Sequence, residues 1–115
     1  MWFQNTADYG QPVLWDYHVF CMAKQDDNCQ VLDLDSSLGI PVPFNRYLSS
    51  SFSGRIRPRY LPCFRVISAP EYLDGFSSDR SHMQLARGSY HHPPPAWPVI
   101  HTEGINNLES SIDME

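Results

Sequence analysis

The stretch Pro12-Val13-Leu14-Trp15-Asp16-Tyr17-His18-Val19-Phe20 decides how the chain is read. It is apolar and aromatic, with one acid and one histidine inside it. Turn-forming residues bound it: Gly10 and Pro12 before, Gln25-Asp26-Asp27-Asn28 after. Trp, Tyr, Val and Phe favour pleated backbone, so the sequence predicts a strand from about Val13 to Met22. On such a strand Leu14, Asp16, His18 and Phe20 share one face, and Trp15, Tyr17, Val19 and Cys21 the other. Both faces are mostly apolar, which predicts an interior strand covered on both sides. An ionisable pair inside such a run costs free energy unless something partners it. An Asp–His hydrogen bond that orders the core is one reason for it to be there. A histidine that does chemistry is the other.

The next segment supplies an acid. Lys24 to Asn28 predicts a turn, and Cys29-Gln30-Val31-Leu32-Asp33-Leu34-Asp35 alternates cleanly, with Leu32 and Leu34 on one face. The pair reads as a hairpin that returns a carboxylate to the neighbourhood of His18. Strand period alone leaves Asp33 and Asp35 equally placed, because an even-length turn puts either one on the face of His18 and a one-residue slip reverses the face. Gly39 to Pro43 ends the hairpin, a short helix is predicted over Phe44 to Leu48, and Ser49 to Ser53 reads as a loop. The basic cluster Arg55, Arg57 and Arg59 reads as a solvated loop that could hold an anion. A third strand is predicted at Cys63 to Ile67. Ser68-Ala69-Pro70-Glu71 is a capping box with Pro in the first turn, so a helix should start there and stop at Gly75. His92-Pro93-Pro94-Pro95 is polyproline-like with Trp97 as its cap, and Ile105, Leu108 and Ile112 form a weak amphipathic pattern near the end.

Composition bounds the function classes. With 115 residues, 42% hydrophobic and 18% charged, the chain suits one globular domain, with a core over 12–101 and an acidic tail over 102–115. A net charge of −5 argues against nucleic acid or an anionic membrane surface as partner. No apolar run reaches the ~20 residues of a membrane span, and residues 1–5 have no signal-peptide character. Three cysteines, Cys21, Cys29 and Cys63, form neither a CxxC pair nor a disulfide framework, which points to a reducing compartment, the cytoplasm with the nucleus as a second location. His82, His91, His92 and His101 lack the close spacing of zinc ligands, so neither a metal nor another cofactor is expected.

A thiol hydrolase needs a thiolate, a histidine that carries the proton and an acid that orients the ring. Trp15-Asp16-Tyr17-His18-Val19, Leu32-Asp33-Leu34-Asp35, Phe64-Arg65-Val66-Ile67, Ser78-Asp79-Arg80-Ser81-His82-Met83 and Pro93-Pro94-Pro95 stand in the order of the protein N-terminal glutamine amidohydrolase family, which the chain resembles from residue 12 to about residue 108. The first and fourth of these motifs together are highly specific. The resemblance implies an α+β fold, an antiparallel sheet with short helices, akin to papain-like and transglutaminase-like thiol hydrolases. It implies deamidation of an N-terminal glutamine to glutamate with release of ammonia, in the N-degron pathway, on proteins or peptides that begin with glutamine. It implies His18 and Asp33 as triad members, Asp35 as a structural acid, and a monomer in the complete protein. Trp15 and Tyr17 are candidates for the substrate pocket, with core packing as the alternative, and Asp79, Arg80 and His82 for a supporting network.

The family's nucleophilic cysteine lies upstream of the His18 motif, at the start of a helix, and none of Cys21, Cys29 and Cys63 matches it. The expectation is therefore a truncated member that is catalytically silent as given. A non-catalytic isoform acting as an interaction or decoy module is the alternative.

Overall fold

Gln25 and Asn28 pair across Asp26 and Asp27, and this two-residue turn, with Asp26 at φ 52, closes the one hairpin the sequence announces. In the computed structural model, which describes every residue except Arg55, Arg87, His91, His92, Pro93, Pro95 and Glu115, the hairpin joins β1 (Cys21–Gln25) to β2 (Asn28–Leu32). A two-residue strand, β3 (Val42–Pro43), pairs antiparallel on the other side of β2, with Val31 opposite Val42. The sheet order is β1-β2-β3, so β2 is central and β1 is an edge. The fold is α+β: a three-stranded antiparallel sheet with short helices. The chain divides into two compact units, Met1–Pro62 and Cys63–Glu115.

The strand predicted over Val13 to Met22 needs correction. Regular pairing begins only at Cys21, all five residues of β1 are exposed, and residues 12–20 join no strand ladder: Val13 exchanges two bonds of 2.7 Å with Met1, and the chain bends at Asp16. The reason is steric. Residues three apart on a pleated strand point to opposite faces, yet the Trp15 indole stacks on the His18 imidazole, ring centroids 4.9 Å apart and planes 20° from parallel. The backbone has to leave the period of two to bring those rings together, and the bend is where it does so.

Burial in the first unit centres on Val31, Val42 and Tyr47, with Phe20, Leu38, Phe44, Leu48 and Phe52 packed against them. Tyr47 comes from α1 (Phe44–Ser51), the helix predicted after Pro43; it continues through Ser51, so the first three residues of the predicted serine loop are helical. Phe20 and Tyr47 meet at 4.9 Å between ring centroids. Residues 1–6 are held by backbone bonds: Trp2 N–H to Ser51 O at 2.8 Å, Ser37 N–H to Phe3 O at 2.9 Å and Asn5 N–H to Asp35 O at 2.6 Å. Gln4 bridges Ser36 in the antiparallel sense.

In the second unit, α2 (Ala69–Gly75) starts as predicted, with Ser68 Oγ accepting from the Glu71 N–H. A second helix, α3 (Leu108–Ile112), buries Leu108, but Ile105 lies before it and both Ile105 and Ile112 are exposed, so of the amphipathic pattern near the end only Leu108 is packed. The predicted strand over Cys63 to Ile67 is absent. Phe64 and Val66 are exposed and make no ladder, while Arg65 donates to the carbonyl of Ser110 at 2.7 Å. Cys63 is exposed as well, so it is no packing residue at a strand start. Of the basic cluster, Arg57 and Arg59 are exposed, and Arg55 lies outside the described residues, as do His91, His92, Pro93 and Pro95. No helix among the described residues is long and apolar enough to cross a membrane.

Candidate active site

Asp33 is the first residue past the end of β2, and its side chain is only 1% exposed. A carboxylate can be buried at that depth only if its lone pairs are filled. Four donors fill them. Oδ1 accepts from His18 Nε2 at 3.0 Å and from the Asp35 N–H at 3.0 Å. Oδ2 accepts from the Tyr47 hydroxyl at 2.8 Å and from Gln4 Nε2 at 3.2 Å. Burial pushes the Asp33 carboxyl up, but the donations from Tyr47, the Asp35 N–H, His18 and Gln4 together outweigh it and hold the acid below its ordinary 3.8. Burial, and then the facing carboxylate, push the Tyr47 phenol far above the usual tyrosine range, so it remains a donor at any working pH.

The register explains why the sequence left two acids open. Pairing of β1 with β2 runs from Gln25–Asn28 to Cys21–Leu32. Continued regularly, it would set Phe20 against Asp33 and His18 against Asp35. The ladder stops instead at Cys21, and the bend upstream carries His18 onto Asp33. Asp35 turns away to take the Thr6 N–H at 3.2 Å and the Thr6 hydroxyl at 2.8 Å, which pins the first loop.

His18 is thereby held at one edge and on one face. Nε2 is committed to Asp33, so the neutral ring carries its proton there, and Nδ1 has no hydrogen-bond partner among the described residues. The side chain is 15% exposed. Trp15 covers the imidazole face, and its Nε1–H donates to Gln4 Oε1 at 3.2 Å. Tyr17 is half-buried, and burial raises its phenol pKa. Neither cysteine of the first unit is bonded to His18. The Cys21 Sγ lies 3.9 Å from the Met22 carbonyl. Cys29, four residues before Asp33, stands on the order of 13 Å back along extended backbone.

The site also contains two groups that sequence reasoning did not pick out. Tyr47 sits between Phe44 and Leu48 on a short helix and reads as core; Gln4 lies in a polar loop where nothing marks it. The Ser78-to-Met83 motif builds a different structure, inside the second unit. Asp79 Oδ1 accepts from the Ser81 N–H and from Asn106 Nδ2, both at 2.9 Å, and the bonds from Ser81 lead in holding its carboxyl below the usual range. Arg80, at φ 61, donates to the Trp97 carbonyl at 3.0 Å. Ser77 Oγ takes the Thr102 N–H, donates to the Ile105 carbonyl at 2.7 Å, and lies 3.3 Å from His101 Nδ1. These bonds tie the segment after α2 to the one before α3. His82 is exposed, and among the described residues no group of three His, Cys, Asp or Glu side chains could hold a metal ion.

The depressed acid has a pH consequence. A carboxyl whose folded pKa lies below its unfolded value adds stability that is complete above the unfolded value and is lost as pH falls through the folded one. With an ordinary value of 3.8, the Asp33 contribution should vanish below that pH. Acid titration followed by the His18 ring protons should show the imidazole released in that window, and Asp33→Asn should erase the transition.

All 115 residues match the family described as N-terminal glutamine amidase. The protein N-terminal glutamine amidohydrolase of Bos taurus is 38% identical over 119 residues, covering 100% of this chain and 58% of its own. That of Caenorhabditis briggsae is 39% identical over 120 residues, covering 100% and 64%. That of Drosophila ananassae is 46% identical over 93 residues, covering 78% and 45%. The chain thus spans about half the length of the curated relatives it matches.

Proposed function

The chain belongs to the N-terminal glutamine amidase family, and from that membership we propose that His18 and Asp33 are the base and the orienting acid of a Cys–His–Asp triad that deamidates N-terminal glutamine. The observation that carries the reading is the pair itself: His18 Nε2 lies 3.0 Å from a buried, fully hydrogen-bonded Asp33, while Nδ1 has no partner among the described residues. Asp33 fixes the tautomer in which Nδ1 is the lone-pair nitrogen, the state a general base needs. A geometry of this kind fits the papain-like and transglutaminase-like arrangement, in which the ring sits between thiol and acid.

The chemistry then runs in two halves. His18 Nδ1 takes the thiol proton, and the thiolate attacks the side-chain carboxamide carbon of the glutamine. The C–N bond breaks as His18 returns the proton to the leaving nitrogen, so ammonia departs and a thioester remains. Water, deprotonated by the same nitrogen, attacks the thioester, and the C–S bond breaks to give glutamate and the free thiol. The thiol is supplied by a cysteine other than Cys21 and Cys29, which make no bond to the ring. The 115-residue chain alone is silent on this reading, and the reducing cytoplasm or nucleus suits the enzyme's free thiol.

The test is ammonia release by the protein at the length of its relatives, from a peptide beginning with glutamine, the same peptide N-acetylated, and one beginning with asparagine. Release from the first alone is expected. Equal release from the acetylated peptide would overturn the N-terminal specificity. Release by the 115-residue chain that Cys63→Ser abolishes would assign the thiol to Cys63 instead.

A further inference from the structure

A hydrogen bond at Nε2 fixes one edge of an imidazole but leaves the ring free to rock about that bond. Productive proton transfer needs the plane fixed too, since the Nδ1 lone pair lies in it. In this structure the plane is set by the Trp15 face, 4.9 Å away, and the indole is in turn fixed by its single N–H, held by Gln4 Oε1 at 3.2 Å. The other end of the same Gln4 amide donates to Asp33 Oδ2 at 3.2 Å, and Asp33 Oδ1 holds His18. Four side chains therefore close a ring: Trp15, Gln4, Asp33, His18 and back to Trp15.

The amide can face only one way. Turned over, its oxygen would meet the Asp33 carboxylate and its NH2 the indole N–H, two repulsive contacts in place of two bonds. Nor is the Gln4 side chain needed to anchor its loop. The backbone bridge to Ser36 and the backbone bonds of Trp2, Phe3 and Asn5 do that. Gln4 is nonetheless only 4% exposed, and a buried primary amide costs free energy unless its bonds are used. Its Nε2 also reaches the neighbouring Phe3 carbonyl, at 3.4 Å, but its two shorter bonds go to the plate and to the acid that hold the imidazole.

We propose that Gln4 is a positioning residue, a clamp that couples the Trp15 ring plane to the Asp33 carboxylate and so sets both the edge and the plane of His18. The proposal deepens the triad reading and rests on it for its catalytic meaning, but its geometry can be tested without turnover.

The experiment labels the 115-residue chain with 15N and follows exchange of the His18 Nε2–H with water, alongside the Val31 backbone N–H as a gauge of global opening. Three variants are compared. Gln4→Met keeps volume and loses the bonds to Trp15 and Asp33 together with the longer one to the Phe3 carbonyl. Gln4→Glu keeps the acceptor for Trp15 but turns the donor into a second carboxyl facing Asp33. Trp15→Phe keeps an aromatic face and loses the N–H. Exchange at His18 is expected to quicken about tenfold or more in each, the factor that one net hydrogen bond to a charged group carries, while Val31 is unchanged. Gln4→Glu should be the most perturbed, because a like charge joins the lost donor. Equal acceleration at His18 and Val31 would mean that Gln4 merely stabilises the fold and would overturn the clamp, as would an unaffected His18 proton in Trp15→Phe. In the protein at the length of its relatives, Gln4→Met is expected to lower kcat with KM unchanged; an unchanged kcat with a lowered affinity would overturn the positioning role. If the exchange result holds while His18→Ala still turns over, the clamp stands and the triad reading falls.

Discussion

Asp33→Asn should reduce ammonia release from a glutamine-initiated peptide by about 10⁴-fold in a protein of the family's length, the loss seen when the orienting acid of a serine-protease triad becomes an amide. The physical cause is the proton inventory around Oδ1 and Oδ2. Four donors converge on Asp33, and an asparagine offers only one oxygen to accept from them. Its NH2 must face either His18 or the Tyr47–Gln4 pair. If it faces His18, the ring moves its proton to Nδ1 and ceases to be a base toward the thiol. His18→Ala should be equally disabling. Asp35→Asn should be mild, because the Asp35 side chain bonds to Thr6 and not to the imidazole. Measured kcat for the three variants decides it; similar, small losses from Asp33→Asn and Asp35→Asn would leave the acid unassigned.

Tyr47→Ala should unfold the first unit at ordinary temperature, and Tyr47→Phe should not. The residue joins two jobs in one side chain. Its ring is fully buried with Val31, Val42 and Phe20, and its hydroxyl is one of the two side-chain donors on Asp33 Oδ2. Truncating a buried aromatic to alanine costs about 3–5 kcal/mol, a large share of the about 5–15 kcal/mol by which whole domains are stable. Tyr47→Phe keeps the packing and removes one bond to a charged group, about 1.5–3 kcal/mol. The second variant should also raise the Asp33 pKa, since a donor that lowers it is gone, and move the acid transition to higher pH. Urea unfolding at neutral pH, repeated below the Asp33 transition, checks both statements: the gap between wild type and Tyr47→Phe should shrink once the carboxylate is protonated.

How much of this was legible beforehand depends on where local chemistry governs. The hairpin was, because a polar tetrapeptide sits between an apolar run and an alternating one, and so was α2, whose Ser68 cap stands just before its first residue. The family motifs pointed to His18 and Asp33 together. Which acid meets the imidazole was not legible from strand period, since Asp33 and Asp35 lie on one face of a regular strand and only the end of pairing at Cys21 separates them. The aromatic run was read as a strand because its composition is that of a strand. What overrode propensity was a contact between Trp15 and His18 that a pleat forbids. Val42 and Pro43 carry too few residues to signal a strand by pattern. Cys63 to Ile67 carries the pattern but finds no ladder. Tyr47 and Gln4 escaped for a simpler reason: a core tyrosine and a loop glutamine look ordinary until the carboxylate they serve is in place.

The tight turn at Asp26 and Asp27 has a practical consequence. It stands at the far end of the hairpin from the imidazole, with Asn28 five residues before Asp33, or roughly 16 Å of extended backbone. Both turn residues are exposed, and doubling the length of a flexible loop costs only about 0.6 kcal/mol in closure entropy. An affinity tag, a lanthanide-binding peptide or a fluorophore could therefore be spliced in between Asp26 and Asp27. It would ride on the edge of the sheet and report on binding partners while leaving the chemistry beneath it untouched.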